Sequence, residues 1–466
     1  MIESASHPME VEWKLVEFVL GFQLRDAPEH AVAVVRNMLL TTIGTAIAGA
    51  SEEGCEAILQ FVKARDGAGR ASVFVYGDAV SAGGAALVNG VMCRALDFCD
   101  AMAPGLHIGS SLLPAAFAAV ELAGGCSGED FLAALVVGAE LASRMNLTEA
   151  MYAGADPTGV AGVFGATAAV ARILKLNRQQ TLHALGLAFN RAAGSFQSNI
   201  DGSLAVRLIQ GWVAESGVVC AQLAQLGITG PKRFLSGVYG YAHQFAKRNR
   251  KPEEFVEALG GQYRLVHTVF KKYPSCGLTQ GVTELALRAR NELGVEPGSI
   301  RRIEVMLPPY AFRLVGHDFE LGDNPRVNAQ FSAKYCVANA MLRGSSELGH
   351  FTKSSIANPE LLAFIDRIEV ISVEAMQERH HTAVDMYIET RNGRSWSTAL
   401  EIAPGFPGNA LRDENHLERF KSCMRYANRG LSQQKIDQLM HSVLAIEEQS
   451  DVREILPLTR EYRSVA

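Results

Sequence analysis

Apolar residues at three- and four-residue spacing run through the first 265 residues, and this periodicity restricts the fold more than any other feature. The segments 127–146 and 205–226 are clear examples, and both are rich in alanine and glycine. Small side chains let helix axes approach closely, so the pattern predicts helices packed on helices with little sheet. Ser127 and Asn177 stand at the expected N-cap positions of two of these helices.

The pattern changes after residue 265. Alternating, β-branched stretches occupy 300–308, 367–375 and 383–402, and the last contains the hairpin signal Asn392-Gly393. Helical patterns intervene at 278–293, 330–342 and 359–364, and helical periodicity returns from 414 to 447. We therefore expect a mainly α protein. Its large all-helical domain spans 1–266 and 403–466, and a smaller inserted α+β domain spans 267–402.

Charge and composition exclude several classes of partner. The chain has 466 residues and a net charge of −5, so no global field draws it to nucleic acid or to an anionic membrane. The N-terminus MIESASHPMEVEW lacks the basic start of a secretory signal. The most apolar runs, such as 39–50, are about a dozen residues long, whereas a membrane span needs roughly 20. We expect a cytoplasmic protein with buried core helices.

The cysteines and glycines do not form a recognisable metal or dinucleotide motif. None of the eight cysteines forms a C-x-x-C pair, and the adjacent His380 and His381 are poorly placed to share one ion, so we expect no metal site. The run GVAGVFGATAAVA at 159–171 imitates a dinucleotide fingerprint. It follows a loop rather than a strand, which favours helix packing.

One polar stretch stands out from this apolar background. The segment RALDFCDAMAPGLHIGSS, residues 94–111, carries Asp97, Asp100 and His107 and ends in small residues. Two interpretations are open on these residues alone. The segment is either a polar turn or an acid/base site, because carboxylates and an imidazole are the usual proton carriers near neutral pH.

Five motifs, in order along the chain, resemble the MmgE/PrpD family. They are NGVMCRALDFCD (89–100), PTGVAGVFGATAAVARIL (157–174), DGSLAVRLIQGWVAESGVVCAQLAQLGITGP (201–231), KKYPSCGLTQG (271–281) and NAQFSAKYCVANAMLRG (328–344). This family includes 2-methylcitrate dehydratases, cis-aconitate decarboxylases and iminodisuccinate epimerases. The resemblance implies a large helical domain, a small α+β domain, a cleft between them, a homodimer and no cofactor.

The resemblance also implies site residues, position by position. The Asp of its Leu-Asp-Phe motif is Asp97, and a second Asp is Asp100. The catalytic His of the following Gly/Pro-rich loop is His107, and the Lys of the Lys-x-Tyr-Pro motif is Lys271. A cleft Tyr after the Phe-Ser motif falls on Tyr335.

The chain departs from the family pattern at four places. The middle Asp of the acidic motif is Cys99, and the Thr after it is Ala101. The His that usually precedes Pro-Thr-Gly is Asp156, and the Lys after Gly-Ser-x-Ala is Val206, with Arg207 beside it. Asp156 and Arg207 are candidate substitutes for the missing groups.

The retained residues suit proton transfer next to a carboxylate. His107 is our candidate base, with Asp97 or Asp100 orienting its ring, and Lys271 is a candidate second acid/base. The candidates for bidentate binding of a substrate carboxylate are Arg144, Arg191 and Arg207. Asp156 is a further candidate residue of the substrate-binding site.

Three functions follow for a small di- or tricarboxylate substrate. Two bases suffice for epimerisation of a dicarboxylate of the iminodisuccinate type, whereas a dehydratase or tricarboxylate enzyme depends more on the missing His and Lys. The sequence thus favours an epimerase. A lyase of the dehydratase or decarboxylase type is the first alternative, and a carboxylate-binding paralogue without turnover is the second.

Overall fold

The chain divides into a helical unit and a second unit that contains a four-stranded sheet. The computed structural model describes residues 9–294, 296–427 and 431–460. The helical unit holds the chain through Ala95, then Cys99–Thr268, and the segment from Ala427 onward. The sheet unit holds Leu96–Phe98 and Val269–Tyr426. The predicted mainly α fold with a smaller sheet-containing part is confirmed.

Helices dominate the first unit, with three two-residue strands. The helices are α1 Glu10–Gly21, α2 Glu29–Gly49, α3 Cys55–Asp66, α4 Ala82–Arg94, α5 Gly109–Ala123, α6 Gly128–Met145, α7 Glu149–Tyr152, α8 Val163–Ile173, α9 Arg178–Arg191, α10 Gln197–Ile200, α11 Ala205–Gln225 and α12 Tyr241–Gln244. The strands are β1 Ala71–Ser72, β2 Ala79–Val80 and β3 Asp100–Ala101. A π-helical turn at Thr158–Gly162 leads directly into α8.

Glycine contacts explain how these helices pack so closely. A Cβ on Gly90 of α4 would lie 2.9 Å from the Cα of Gly211 in α11. A Cβ on Gly165 of α8 would lie 2.4 Å from the carbonyl oxygen of Gly138 in α6. Side chains at these crossings would force the axes apart.

The local signals for helix ends are confirmed. The Ser127 side chain accepts a hydrogen bond from Asp130 N at the start of α6. Asn177 and Gln180 form a reciprocal capping box at the start of α9. The apolar run at 39–50 belongs to the 21-residue helix α2, which is long and apolar enough to cross a membrane. Of its most apolar window, 78% is buried, as in a core helix.

The sheet unit combines short helices with one mixed sheet. Its helices are α13 Gln280–Leu293, α14 Pro309–Val315, α15 Pro325–Gln330, α16 Ala333–Arg343, α17 Lys353–Ile356, α18 Pro359–Ile365 and α19 Asp413–Tyr426. Its strands are β4 Val269–Phe270, β5 Ile300–Leu307, β6 Ile368–Ser372, β7 Val384–Thr390 and β8 Ser395–Leu400. The four-stranded sheet has the order β6-β5-β7-β8, and only the β5–β6 pair is parallel.

One face of this sheet forms the core of the unit. Alternate residues of β7 are buried, as expected for a strand with one covered face. Val305 of β5 and Met386 of β7 are paired and pack in one apolar cluster with Val282 of α13 and Val337 of α16. The Asn392-Gly393 hairpin joins β7 to β8, and Gly393 has the positive φ of 82° that such turns require.

The predicted return to the helical unit at residue 403 lies earlier in the chain than the return that the contacts indicate. Residues up to Tyr426, with the whole of α19, group with the sheet unit. Arg419 of α19 donates to the carbonyl oxygen of Phe98, and the His416 ring packs 4.8 Å from the Phe270 ring. The chain rejoins the helical unit afterwards, where helix α20 spans Gln433–Leu444.

Candidate active site

His107 lies in the loop before α5 of the helical unit and is 9% exposed. Its Nδ1 is 2.7 Å from the backbone carbonyl oxygen of Asp100. A carbonyl oxygen only accepts hydrogen bonds, so Nδ1 carries a proton. In the neutral ring, Nε2 is therefore the nitrogen that takes up and releases a proton.

The Asp100 carboxylate has a different task from the one predicted. It accepts hydrogen bonds from the backbone N–H groups of Ile108 and Gly109, at 3.0–3.1 Å, at the start of α5. A carboxylate at a helix N-terminus is stabilised by the unpaired N–H groups and the helix dipole. Asp100 thus orients His107 through its main chain, whereas its side chain fixes the loop that carries His107.

Cys99 occupies the place next to the imidazole. Its sulfur lies 3.4 Å from Nδ1 of His107, and the residue is completely buried. The position holds an aspartate in the family motif that the sequence resembles. A cysteine in its place puts a sulfur, and not a carboxylate, beside the ring nitrogen that carries the proton.

A second loop contacts His107 from the start of the π-helical turn. The backbone N–H of His107 donates to Thr158 Oγ1 at 2.9 Å. Asp156, two residues earlier, accepts from the N–H groups of Thr158 and Gly159 at 2.8 and 3.1 Å. Burial raises the pKa of Asp156, and the nearby charge of Arg94 only partly opposes this effect. Asp156 is therefore a buried carboxyl group that holds the start of the turn whose Thr158 contacts His107.

Lys271 and Asp97 form a buried ion pair in the sheet unit. Lys271 Nζ lies 2.8 Å from Asp97 Oδ1 and also donates to the Asp97 carbonyl oxygen at 2.8 Å. The two side chains are 4% and 8% exposed. An ammonium has three N–H donors, and in the described part of the chain these two bonds are the ones it makes, so one donor remains for a substrate.

The backbone around Asp97 is shaped to make this pair. Asp97 has a φ of +51°, a left-handed conformation that Asp and Asn tolerate better than most residues. Gln330 donates to the carbonyl oxygen of Leu96, and Arg419 to that of Phe98, so both neighbours of Asp97 are held. Lys271 is 3% exposed, whereas the adjacent Lys272 is half-buried and pairs with Glu284.

Arg144 does not fit the carboxylate-binding role predicted for it. It is completely buried, and its Nε donates to Glu140 Oε1 at 2.6 Å. Its Nη atoms donate to four backbone carbonyl oxygens, those of Phe255, Glu257, Ala258 and Gln262. All five N–H groups of the guanidinium are used, so Arg144 holds the segment 255–262 in place instead of a substrate.

Tyr335 is likewise a structural residue. Its ring is completely buried between Phe319 and Phe351, at centroid distances of 5.3 and 5.5 Å. Its hydroxyl donates to the carbonyl oxygen of His350 at 2.5 Å. The hydroxyl of this predicted cleft tyrosine therefore donates within the core of the sheet unit.

The two other candidate arginines differ in burial. Arg191 is exposed at the end of α9, and its Nε donates to Ser216 Oγ at 3.3 Å. Arg207 is 7% exposed near the start of α11, and its Nη1 donates to the carbonyl oxygen of Glu53 at 2.8 Å. Arg207 thus ties α11 to the loop before α3, and its role toward a substrate stays a prediction.

A cavity of about 920 Å³ in the helical unit lies elsewhere. Its lining includes Cys126, Asp130, Arg172 and Asp451, and none of the predicted site residues. Arg172 is held there by the carbonyl oxygens of Val19 and Phe22. We assign the chemistry to the buried titratable groups around His107, because size alone does not identify a catalytic centre.

Comparisons with known proteins match both parts of the chain to one family. The MmgE/PrpD N-terminal domain matches residues 13–254, and the MmgE/PrpD C-terminal domain matches residues 273–446. The chain belongs to the MmgE/PrpD family. The cis-aconitate decarboxylase-like protein oryM of Aspergillus oryzae is 28% identical over 96% of both chains. The cis-aconitate decarboxylase of Aspergillus terreus is 25% identical over 93% of this chain and 92% of its own.

A human relative extends the similarity. The cis-aconitate decarboxylase of Homo sapiens is 22% identical over 92% of this chain and 90% of its own length. Each relative aligns along nearly its whole chain, so the similarity covers both matched family domains and not one of them alone.

Two residues of this family member were missed by the sequence reasoning. Thr158 binds the His107 main chain, and Arg94 acts on Asp156 through its charge. Both lie inside motifs that the sequence already singled out, 94–111 and 157–174. Their position as polar residues inside these motifs is the feature that could have marked both as candidate site residues.

Proposed function

We propose that this protein is a cofactor-independent lyase that decarboxylates a small unsaturated tricarboxylate of the cis-aconitate type. The relatives named as decarboxylases favour a lyase over the epimerase that the sequence favoured. The observation that carries the proposal is the buried His107, whose Nδ1–H is fixed on a carbonyl oxygen. Its Nε2 then serves as the single proton-exchanging atom.

The proposed reaction needs one proton at carbon. The carbon–carbon bond to the leaving carboxylate breaks, and CO2 departs. The electron pair stays on the substrate and spreads over the adjacent double bond and its carboxylate. The imidazolium of His107 returns a proton from Nε2 to carbon, and solvent protonates the ring again. One proton is consumed in each turnover.

The remaining carboxylates of the substrate need cations. We assign one of them to Lys271, whose ammonium is held by Asp97 with a donor still to give. A buried cation in a low dielectric stabilises developing negative charge more strongly than an exposed one. Asp97 is a positioning residue in this scheme, since it touches Lys271 and not the reacting carbon.

Epimerisation of a dicarboxylate is the second candidate. It is favoured by two departures from the family pattern, Asp156 for a histidine and Val206 for a lysine. An epimerase needs two proton carriers and fewer carboxylate-binding cations than a tricarboxylate lyase does. Replacing Asp156 with His and Val206 with Lys should raise lyase activity if these departures diverted the chemistry, and a folded, inert double variant contradicts that account.

Proton NMR in D2O separates the candidates. The substrates are cis-aconitate, 2-methylcitrate, citrate, malate, tartrate and the iminodisuccinate stereoisomers. A decarboxylase releases CO2 from cis-aconitate and places one deuterium at carbon in the product. An epimerase exchanges a proton next to a carboxylate and interconverts stereoisomers, with no loss of CO2. Absence of both with every compound contradicts the lyase and the epimerase and favours a carboxylate-binding paralogue.

A His107→Gln variant tests the assigned proton carrier. Glutamine retains a donor for the Asp100 carbonyl oxygen but does not titrate, so turnover should fall by about 10²–10⁴ while the fold is kept. His30→Gln, at an exposed position of the same unit, is the matched control. Normal turnover in His107→Gln removes His107 from the mechanism.

The homodimer implied by the family resemblance is also a proposal. Helix α11 supports it, because Trp212, Val219 and Leu223 lie on one helix face and are 46%, 39% and 38% exposed. Light scattering during size-exclusion chromatography should give the mass of a dimer for the natural chain and of a monomer for Trp212→Glu. A natural chain that is monomeric at micromolar concentration refutes the proposal.

A further inference from the structure

A cavity of about 370 Å³ in the sheet unit has three basic side chains in its lining. They are Lys272, Arg288 and Arg412. The volume falls within the range of about 300–1,000 Å³ that is typical of small-molecule sites. None of the residues assigned above to proton transfer or substrate binding lines this cavity.

The carboxylates of the cavity do not neutralise all of these cations. Glu284 accepts a hydrogen bond from the Tyr273 hydroxyl at 2.6 Å and pairs with Lys272 at 2.7 Å. Burial raises the pKa of Glu284, but these bonds and the charges of Lys272 and Arg288 outweigh it and lower the pKa, so Glu284 keeps its charge and its direct bonds go to Lys272 and Tyr273. The second carboxylate, Glu414, is exposed in the first turn of α19.

The guanidinium N–H groups of Arg288 and Arg412 are available to a ligand. In the part of the chain that the structure describes, no side-chain hydrogen bond and no ion pair within 4.0 Å engages the guanidinium of Arg288 or of Arg412. Arg412 is exposed and is solvated by water, but Arg288 is half-buried on α13. The charge of Arg288 lowers the pKa of nearby Glu284, but among the described residues no hydrogen bond replaces the hydration that the guanidinium loses on partial burial, and a bound oxyanion would supply one.

We propose that this cavity binds a small multivalent oxyanion, of the phosphate or polycarboxylate class, between Arg288 and Arg412. A guanidinium presents paired donors that match two oxygens of one phosphate or carboxylate group. Two such forks on one cavity suit an anion with more than one negative charge. Lys272 adds a third positive charge to the wall, although Glu284 holds its ammonium.

The proposed site is distinct from the lysine assigned to substrate. Lys271 and Lys272 are adjacent in the chain, yet their ammonium groups bind different carboxylates, Asp97 and Glu284. The inference stands on the cavity and its charges, and it does not depend on the decarboxylase proposal. Its test therefore measures binding rather than turnover.

Calorimetric titration of the full chain with inorganic phosphate and with citrate tests the proposal, at an ionic strength held constant with chloride. The natural chain is compared with Arg288→Gln/Arg412→Gln. We expect at least one of the two anions to bind the double variant at least tenfold more weakly. Any binding of citrate at the catalytic residues is common to both proteins, so the difference between them reports on this cavity.

The matched control is Arg391→Gln, which removes one exposed arginine of the same unit outside the cavity. It should bind both anions as the natural chain does. If the double variant does not fold, Arg412→Gln alone replaces it, because Arg412 is exposed, and we then expect at least a threefold weakening.

The outcomes distinguish the two sources of the oxyanion. Loss of phosphate binding alone identifies a phosphate site, and loss of citrate binding alone identifies a polycarboxylate site. Loss of both identifies a site for the whole class. Equal affinities of the natural chain and the variants for both anions, or an equal loss in Arg391→Gln, overturns the proposal.

Discussion

The Asp97–Lys271 pair makes the sharpest prediction about the site, because it is buried and joins two residues of one unit. The two charges are 2.8 Å apart, which corresponds to a Coulomb attraction of about 6 kcal/mol at an effective dielectric constant of about 20. Desolvation of both groups cancels much of this attraction in the intact pair. Removing one partner leaves the other buried and uncompensated, which costs about 3–5 kcal/mol.

Asp97→Asn and Lys271→Met separate this cost from the rest of the fold. Asparagine tolerates the left-handed backbone at position 97, so the variant removes the charge without straining the chain. We expect each single variant to lose about 3–5 kcal/mol of stability. The double variant should lose less than the sum of the two by at least about 2 kcal/mol, because neither charge is then left alone.

Trp396 makes the measurement specific to the sheet unit. The chain has three tryptophans, and Trp13→Phe with Trp212→Phe leaves Trp396 of β8 as the reporter. Urea unfolding at pH 7, followed by the fluorescence of Trp396, gives the free energies for the cycle. Single variants whose losses add within about 0.5 kcal/mol refute the view that the pair acts as one buried unit.

Three further predictions concern residues whose roles the structure fixes or corrects. Burial beside Phe270 lowers the pKa of His416 to about 3, so the folded state stays neutral while the unfolded chain binds a proton below about pH 6.5. The natural chain should therefore lose stability as the pH is lowered. Between pH 7 and pH 5 the free energy of urea unfolding of His416→Leu should rise by about 2 kcal/mol relative to that of the natural chain. A difference in unfolding free energy that is the same at both pH values contradicts this. Burial raises the pKa of Asp156, so the natural chain should lose stability relative to Asp156→Asn as the pH rises through that pKa. Asp156→Ala should lose about 1 kcal/mol of stability, because the N–H groups of Thr158 and Gly159 lose their acceptor. Thermal unfolding of the natural chain and both variants between pH 4 and pH 7 tests both expectations. Tyr335→Phe should lose about 1 kcal/mol with its bond to the His350 carbonyl oxygen and keep its kcat, and a large fall in kcat with the fold intact would return Tyr335 to the site.

Local signals made much of the fold predictable. Ser127, Asn177 and the Asn392-Gly393 turn act on their near neighbours in the chain. The two caps start helices and the turn joins two strands where the sequence indicated. The position of α19 was not predictable in this way. Its periodicity predicts an amphipathic helix but does not identify the residues against which it packs. One of these contacts joins Arg419 to Phe98, which are more than 300 positions apart in the sequence.

The roles of single charged residues were the hardest to predict. Arg144 lies near the C-terminal end of helix α6. The residues around it in the sequence do not indicate the carbonyl oxygens of 255–262, which accept the hydrogen bonds of its two Nη groups. Lys271 was separable from Lys272 only by the motif around it. Burial and partners, which are tertiary properties, decide whether a cation holds the fold or a ligand.

The main-chain partner of His107 bears on which reaction the site performs. A backbone carbonyl carries no net charge, so it orients the imidazole without stabilising the protonated ring as strongly as a carboxylate does. Cys99 keeps a carboxylate away from the same nitrogen, at the position where the family motif has an aspartate. The ring is thus oriented by its Nδ1–H bond to the Asp100 carbonyl oxygen, and Nε2 is left as its proton-exchanging atom. A ring with one fixed orientation and one exchanging nitrogen suits the single protonation of carbon in the proposed decarboxylation, whereas an epimerase also needs a second proton carrier on the other side of the carbon.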